Sequence, residues 1–273
     1  MDTEGTVYAS SISTWERTLP FLLDAAKLPE IIARSGAATV LVKPNLVEAL
    51  EPPITTPVGL VALLVRYLQE NSGARILISE GCGAVNYDTR HAYDRLGYTE
   101  AAAGLGVELI DLNGEELIRL EKTGCRRWPE MHLPRIALES FLLSVPVLKA
   151  HSLAGVTLTL KNMMGLVPPS RYQEDGSWKK SAFHRQIQEA VADLNRYRAP
   201  DFTLLDATTG MAQAHLWGPC CEPPVNMLAA GTDPVAIDAF GTGLLQKRWQ
   251  DIGHIRALDG ELGTADPLTI IRV

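Results

Sequence analysis

Short apolar runs alternate with amphipathic stretches along most of the chain. That alternation predicts strands and helices in βαβ succession. Residues 5–10 read as a first strand. Residues 38–42, 75–79, 107–110, 141–148, 202–205 and 226–230 read as later ones, with Pro146 a mild contradiction inside the fifth. Val58, Val61, Leu64, Val65 and Leu68 recur at helical spacing behind Thr56-Pro57, which reads as an N-cap and a first helical residue. Phe183, Ile187, Ala190, Val191, Leu194 and Tyr197 mark the clearest helix. The helical pattern over 13–35 is interrupted at Pro20 and Pro29, so two short helices are expected there. Asp233-Pro234 opens a further helix through Ile237, Phe240 and Leu244. Residues 153–164 fit strand and helix alike. Residues 167–182 form the longest stretch without a pattern, as a lid or binding loop would. The expected fold is α/β: a mixed, mostly parallel sheet with helices on both faces, and a small antiparallel meander near 112–137. No linker rich in Pro, Gly or Ser divides the chain, so a single domain over 1–273 is expected.

The ends of these strands carry the chemistry. The run to Val42 leads into Lys43-Pro44-Asn45, that to Ser79 into Glu80-Gly81-Cys82-Gly83, and that to Ile110 into Asp111. The run to Leu148 leads into Lys149-Ala150-His151, and that to Leu205 into Asp206. Ligands of open α/β sheets bind beyond the carboxyl ends of parallel strands. Five such ends would aim Lys, Asn, Glu, His and Asp at one edge, although any one strand also meets polar residues simply on reaching the surface. Lys149 and His151 share a face of extended chain. A nearby ammonium keeps an imidazole neutral, fit for a general base or a metal ligand. Beyond them, Thr157 and Lys161 share a side whether that stretch is strand or helix. His184 sits at the start of the strong helix behind Arg171, Lys179 and Lys180, where a helix N-terminus and basic side chains would suit an anion.

Some polar residues have plainer explanations. Asp233 before Pro reads as an N-cap. Asp238 lies inside its helix, so burial would require a partner. Cys82 reads as a small buried thiol rather than a nucleophile. Cys220-Cys221 with His215 lacks zinc spacing and has no assigned role. Gly81-Cys82-Gly83-Ala84-Val85-Asn86 misses the dinucleotide fingerprint at its third glycine, and no P-loop or metalloprotease motif occurs.

Composition narrows the class. The 273 residues carry 25 Lys+Arg against 32 Asp+Glu, a formal charge of −7. That balance argues against a nucleic-acid partner and against binding to anionic membranes. No apolar run approaches membrane-spanning length, and four scattered cysteines make no disulfide framework. A cytoplasmic protein is expected, with an oligomer left open. Against an acidic background the lysines at strand ends stand out.

Several ordered segments resemble a family. They are LVKPNLV (41–47), TTP (55–57), EGCG (80–83) and the long stretch VPVLKAHSLAGVTLTLKNMMGLVP (145–168). His184, LLDATTGM (204–211) and AAGTDPVAIDAFG (229–241) follow in order. Over about residues 38–250 the chain resembles the bacterial and archaeal family known as domain of unknown function 362. The resemblance implies no established activity. Many members carry a ferredoxin-like module with a Cys-rich run; this chain has no such run, so no ferredoxin-type iron–sulfur cluster is expected.

The functional expectation is an enzyme acting on a small anionic metabolite in a crevice lined by Lys, His and acid groups. Lys149, His151, His184 and Glu80 are its candidate catalytic groups. Lys43, Asn45, Lys161, Asn162 and Arg171 are its candidate substrate-binding groups. A divalent metal is an option, with His151, His184, Glu80, Asp206 and Asp238 as candidate ligands. Isomerase, lyase and oxidoreductase chemistry stay open. The alternative is a non-catalytic carrier of an anionic metabolite or cofactor. A third reading, an accessory factor docking to a redox partner, would need an exposed patch and no closed pocket.

Overall fold

The computed structural model describes residues 4–273. Its apolar runs become the strands β1 (Thr6–Ser11), β2 (Thr39–Pro44), β3 (Arg75–Glu80), β4 (Glu108–Asp111), β5 (Leu117–Glu121) and β6 (Glu130–Pro134). The later strands are β7 (Phe141–Val145), β8 (Val147–His151), β9 (Gly155–Thr157), β10 (Phe202–Met211), β11 (Met227–Gly231) and β12 (Thr269–Arg272). The main sheet runs β12-β1-β11-β10-β7-β2-β3-β4, and β8 joins it through β10 and carries β9. From β10 to β4 every neighbouring pair is parallel. Strand β11 is antiparallel to both β10 and β1, which makes the sheet mixed. The meander expected near 112–137 is the two-stranded antiparallel β5–β6 ribbon, followed by a short helix at Arg135–Glu139.

The period of two sorts side chains between two apolar layers. Val40, Val42, Ile76 and Ile78 pack beneath Leu22 and Leu64, from helices Trp15–Ala25 and Val58–Asn71. Leu41 and Leu77 face the opposite layer with Val191 and Ile237, from helices Ile187–Tyr197 and Pro234–Leu244. Each fully buried aliphatic side chain contributes about 1.5–3 kcal/mol of transfer free energy, so a one-residue slip of β2 would forfeit several at once. Helices on both faces are therefore a direct reading of this alternation.

The connections decide where a crevice opens. From β2 the chain crosses through helix Val58–Asn71 to β3 on one side. Strand β7 lies on the other side of β2 and leads through helix Ile187–Tyr197 to β10. Crossovers departing in opposite directions from adjacent strands leave a gap beyond their carboxyl ends.

Three local readings need correction, and one left open between strand and helix is answered. The apolar run through Leu148 is two strands, because Pro146 lacks the N–H a ladder requires; its carbonyl still accepts from Asp206 N at 2.9 Å. The chain bends there, leaves β2 and carries β8 toward the gap. Residues 153–164 combine both expected states, β9 and then helix Thr159–Asn162. Pro20 lies inside helix Trp15–Ala25, and the break falls at left-handed Lys27 instead, because buried Leu19, Leu22 and Leu23 carry the helix past the proline. Thr56 does not cap its helix. Its hydroxyl accepts from Asn45 N at 2.8 Å and donates to the Val145 carbonyl at 2.7 Å, tying the end of β2 to the end of β7.

Candidate functional site

A cavity of about 360 Å³ lies at these strand ends. Lys149, Lys161 and Lys180 line it, as do His151, His184 and His215, with Asn45, Asn162 and Glu80 at its floor. Against the three lysines the lining offers two carboxylates, Glu80 and Asp175, the second exposed at the rim. The wall thus carries more basic than acidic side chains on a chain whose net charge is −7.

The floor is a closed polar network. Lys43 follows Leu41 on the same face of β2 and is fully buried. Its ammonium donates to Glu80 Oε2 at 3.0 Å and lies 2.9 Å from Oε1. Glu80 also accepts from Leu46 N at 3.0 Å and Gly81 N at 2.8 Å, so both its oxygens are committed. Asn162 bridges the elements. Its Oδ1 accepts from Lys43 Nζ (3.3 Å) and Asn45 Nδ2 (3.0 Å), while its Nδ2 donates to Ser144 Oγ (3.0 Å). Asn45 Oδ1 then accepts from Lys149 Nζ at 2.9 Å, and the Ile54 carbonyl takes a second Lys149 hydrogen at 2.5 Å. A buried network satisfied this fully is rigid. Gly165 lies directly on it: a Cβ there would collide with Glu80 Oε1 and Lys43 Nζ.

The lysines differ in what holds them. Burial lowers the pKa of Lys43, with Glu80 opposing the shift. Burial lowers Lys149 strongly, helped by the Lys161 charge. Lys180 donates to the Gly165 carbonyl at 2.9 Å and is lowered by burial to about 7, with Glu80 opposing. Lys161 is lowered by burial and by the Lys43 charge to about 8. Its neighbours Thr159 and Leu160 donate their N–H groups to Asp238 Oδ1 (2.7 Å) and Oδ2 (3.1 Å). Asp238 thereby fixes the first turn of the helix that presents Lys161 and Asn162. Burial pushes its own carboxyl up to about 8.

The histidines are neutral groups here. His151 Nδ1 accepts from both Leu153 N and Ala154 N at 3.1 Å, which assigns its proton to Nε2. Burial, then Lys161, drives its pKa far below the ordinary imidazole range. The His215 ring stacks on His151 with centroids 4.0 Å apart, and burial and Lys161 lower it to about 4. His184 is lowered in the same direction for the same two reasons. It ends a short 3-10 turn, Ser181–His184, and the strong helix begins only at Ile187 after left-handed Gln186, so His184 is not at a helix N-terminus. The loop ahead of it is pinned to the Glu80–Gly83 turn by the Lys179 N to Gly83 carbonyl bond (2.8 Å), which folds Trp178 over the cavity.

Eight of the sequence-predicted residues meet here: Lys43 beneath the floor, and Asn45, Glu80, Lys149, His151, Lys161, Asn162 and His184 along the lining. Three do not. Asp206 is not a strand end, because β10 runs on to Met211; it faces the other side of the sheet, and its Oδ1 accepts from Thr208 N at 2.9 Å. Asp238 is buried behind the helix it caps, with both oxygens taken. Arg171 is exposed, in the short helix Pro169–Tyr172, and lines no part of the cavity. As for a metal, no three His, Cys, Asp or Glu side chains are grouped to hold one among the described residues. Cys82 is buried, 3.4 Å from the Val47 carbonyl, and burial raises its thiol to about 11. The sequence reading gave His215 and Gly165 no site role, and named Lys180 only among the basic side chains ahead of His184. His215 follows the true end of β10, so the strand-end rule would have found it had that strand been drawn to its full length.

The match to known proteins agrees with the ordered segments. The model of the family described as Domain of unknown function (DUF362) matches residues 40–243. The chain belongs to that family. All but the first residue of β2, strands β3 through β11, and every lysine and histidine of the cavity fall within the matched residues. The chain is also 27% identical over 223 residues to a thylakoid-associated protein of Synechocystis sp.. That alignment covers 76% of this chain and 63% of the relative, so this chain spans less than two thirds of the relative's length. Among the described residues no helix is long and apolar enough to cross a membrane.

Proposed function

We propose that this member of the family is an enzyme whose cavity binds a small anionic metabolite and moves a proton on it. The observation that carries the reading is Lys161, an almost fully buried amine on the cavity wall with neither a carboxylate nor a hydrogen-bond acceptor among the described residues. Buried charges are ordinarily paired, and an anionic ligand would supply the missing partner. Lys149 and Lys180 add to the same field. The Nε2–H of His151 offers a neutral donor to the ligand. His184, neutral and without a hydrogen-bond partner among the described residues, is the group free to accept or return a proton. Lys43 and Glu80 brace the floor rather than react.

The carrier reading draws on a specific observation as well: Glu80 and His151 Nδ1, two of the predicted acid/base atoms, are already bonded inside the protein. His184→Gln separates the two readings, since an enzyme loses turnover and a carrier keeps its affinity. The cavity itself speaks against a purely accessory role. Four cysteines without a disulfide suit a reducing compartment, and we place the protein in the cytoplasm; association with a membrane, as the relative's name states for that protein, would be seen by fractionation.

The test of anion binding is thermal unfolding with phosphate, acetate or malonate present. A ligand at a hundred times its Kd stabilises by about 2.7 kcal/mol. Protection that is saturable in wild type and lost in Lys161→Met supports the reading. Protection by none of the three, or equal protection of the variant, refutes it.

A further inference from the structure

Four lysines are buried around these strand ends, and three are committed. Lys43 is held by Glu80, Lys149 by Asn45 Oδ1 and the Ile54 carbonyl, and Lys180 by the Gly165 carbonyl. These bonds fix where each amine points, even though burial also lowers Lys149 strongly and Lys180 to about 7. Lys161 has none, is 8% exposed, and lines the cavity. The charges and titratable groups around it are Lys43, Lys149, the three cavity histidines and buried His254, none of them an anion. Desolvation beside another cation is the arrangement that turns a lysine into a nucleophile. With its amine near 8, roughly a tenth is unprotonated at pH 7.

Resting on the anion-binding reading, we infer that Lys161 forms a Schiff base with the carbonyl carbon of a small 2-oxo carboxylate. The carboxylate sits beside Lys149 and Lys180, whose protonated forms its own charge favours, and the adjoining carbonyl is presented to Lys161. The neutral amine attacks the carbonyl carbon, forming the C–N bond of a carbinolamine. The carbinolamine hydroxyl then leaves as water, taking the second of the two amine hydrogens, and the C=N bond forms. Amine plus carbonyl gives imine plus water, with no oxidant or reductant. One further proton makes the iminium, and His184 is the cavity group able to relay it. A volume of about 360 Å³ limits the substrate to a small acid.

The experiment treats the full chain with glyoxylate, pyruvate or 2-oxoglutarate, each followed by sodium borohydride, and reads intact mass and peptide maps. The expected result is one addition per chain, equal in mass to the acid less one oxygen atom, on the peptide containing Lys161. Lys161→Arg is expected to lose it, and mapping the wild-type protein identifies the lysine even if that variant folds poorly. No addition with any of the three acids, or addition spread over exposed lysines, overturns the inference. Thermal protection by the same acids and by lactate, which has no carbonyl to attack, is read in parallel. Protection without trapping overturns the Schiff base and leaves the anion site standing. Neither protection nor trapping overturns both.

Discussion

Replacing Glu80 by Gln removes the one carboxylate among four buried lysines while conserving shape. Glu80 is 2% exposed and Lys43 is fully buried, so no water can take over the charge. The carboxylate accepts from the Lys43 ammonium and from the backbone of Leu46 and Gly81. A Gln amide offers one oxygen and one NH2, so at least one of these donors then faces another donor. Removing one member of a buried ion pair costs about 3–5 kcal/mol, much of it the penalty on the orphaned charge. Lys180, whose charged form Glu80 also favours, is left less supported. Against a total stability of about 5–15 kcal/mol, that loss is large. Urea unfolding measures it, read as a fall in midpoint at constant slope. Pairing the change with Lys43→Met should recover most of the loss, since the orphaned ammonium is then gone. A loss below about 1 kcal/mol in the single variant would refute the closed-network reading of the floor.

Four further outcomes are expected. Gly165→Ala should destabilise by about 2–4 kcal/mol, because its methyl would enter the Lys43–Glu80 pair; wild-type unfolding curves would contradict this. Asp238→Ala should cost about 2–3 kcal/mol by leaving the Thr159 and Leu160 N–H groups unpaired, and should weaken anion binding because Lys161 loses its fixed turn; Asp238→Asn, keeping one acceptor, should fall between. Stability should decline as pH drops below about 6.5, where the unfolded histidines gain protons, and on toward 3–4, since burial holds His254 at about 3 and His215 at about 4 in the folded state; a curve flat from pH 7 to 4 would contradict that sign. Lys161→Met should leave stability unchanged or raise it while abolishing anion-dependent protection, whereas a structural lysine would show the reverse.

Much of the scaffold was legible because its signals are local. Period-two alternation marks β2 and β3, whose two faces enter different apolar layers. The spacing from Ile187 to Tyr197 needs only one helix to explain it. Where reading failed, a distant partner had overridden the local signal. Thr56-Pro57 looks like a cap, but Thr56 serves the ends of two parallel strands whose pairing no local pattern reveals. Asp206 looks like a strand end because polar residues follow it, yet it pairs with β11, and Thr208 and Thr209 continue the strand by accepting from Asn226 N and Val225 N just ahead of β11. β12 escaped notice because its residues are exposed and pair only along one edge with β1. Of the site, the residues that end strands β2, β3 and β8 were readable. Lys180 was readable only as one of several basic groups on a loop that tertiary packing brings to the cavity, His215 was hidden by the shortened reading of β10, and the weight on Gly165 exists only once Lys43 and Glu80 meet.

The placement of charge connects these levels. A helix cap at Asp238, a bend at Pro146 and a tie through Thr56 are each ordinary means of ending or joining elements. Together they deliver Lys161, Lys149 and Asn45 to the gap between two strands whose crossovers diverge. Burying four lysines around one carboxylate costs stability that apolar side chains of similar size would not. Three of those lysines recover part of the cost through acceptors in the protein. The fourth recovers none from an acceptor among the described residues, and its side chain lines the cavity instead.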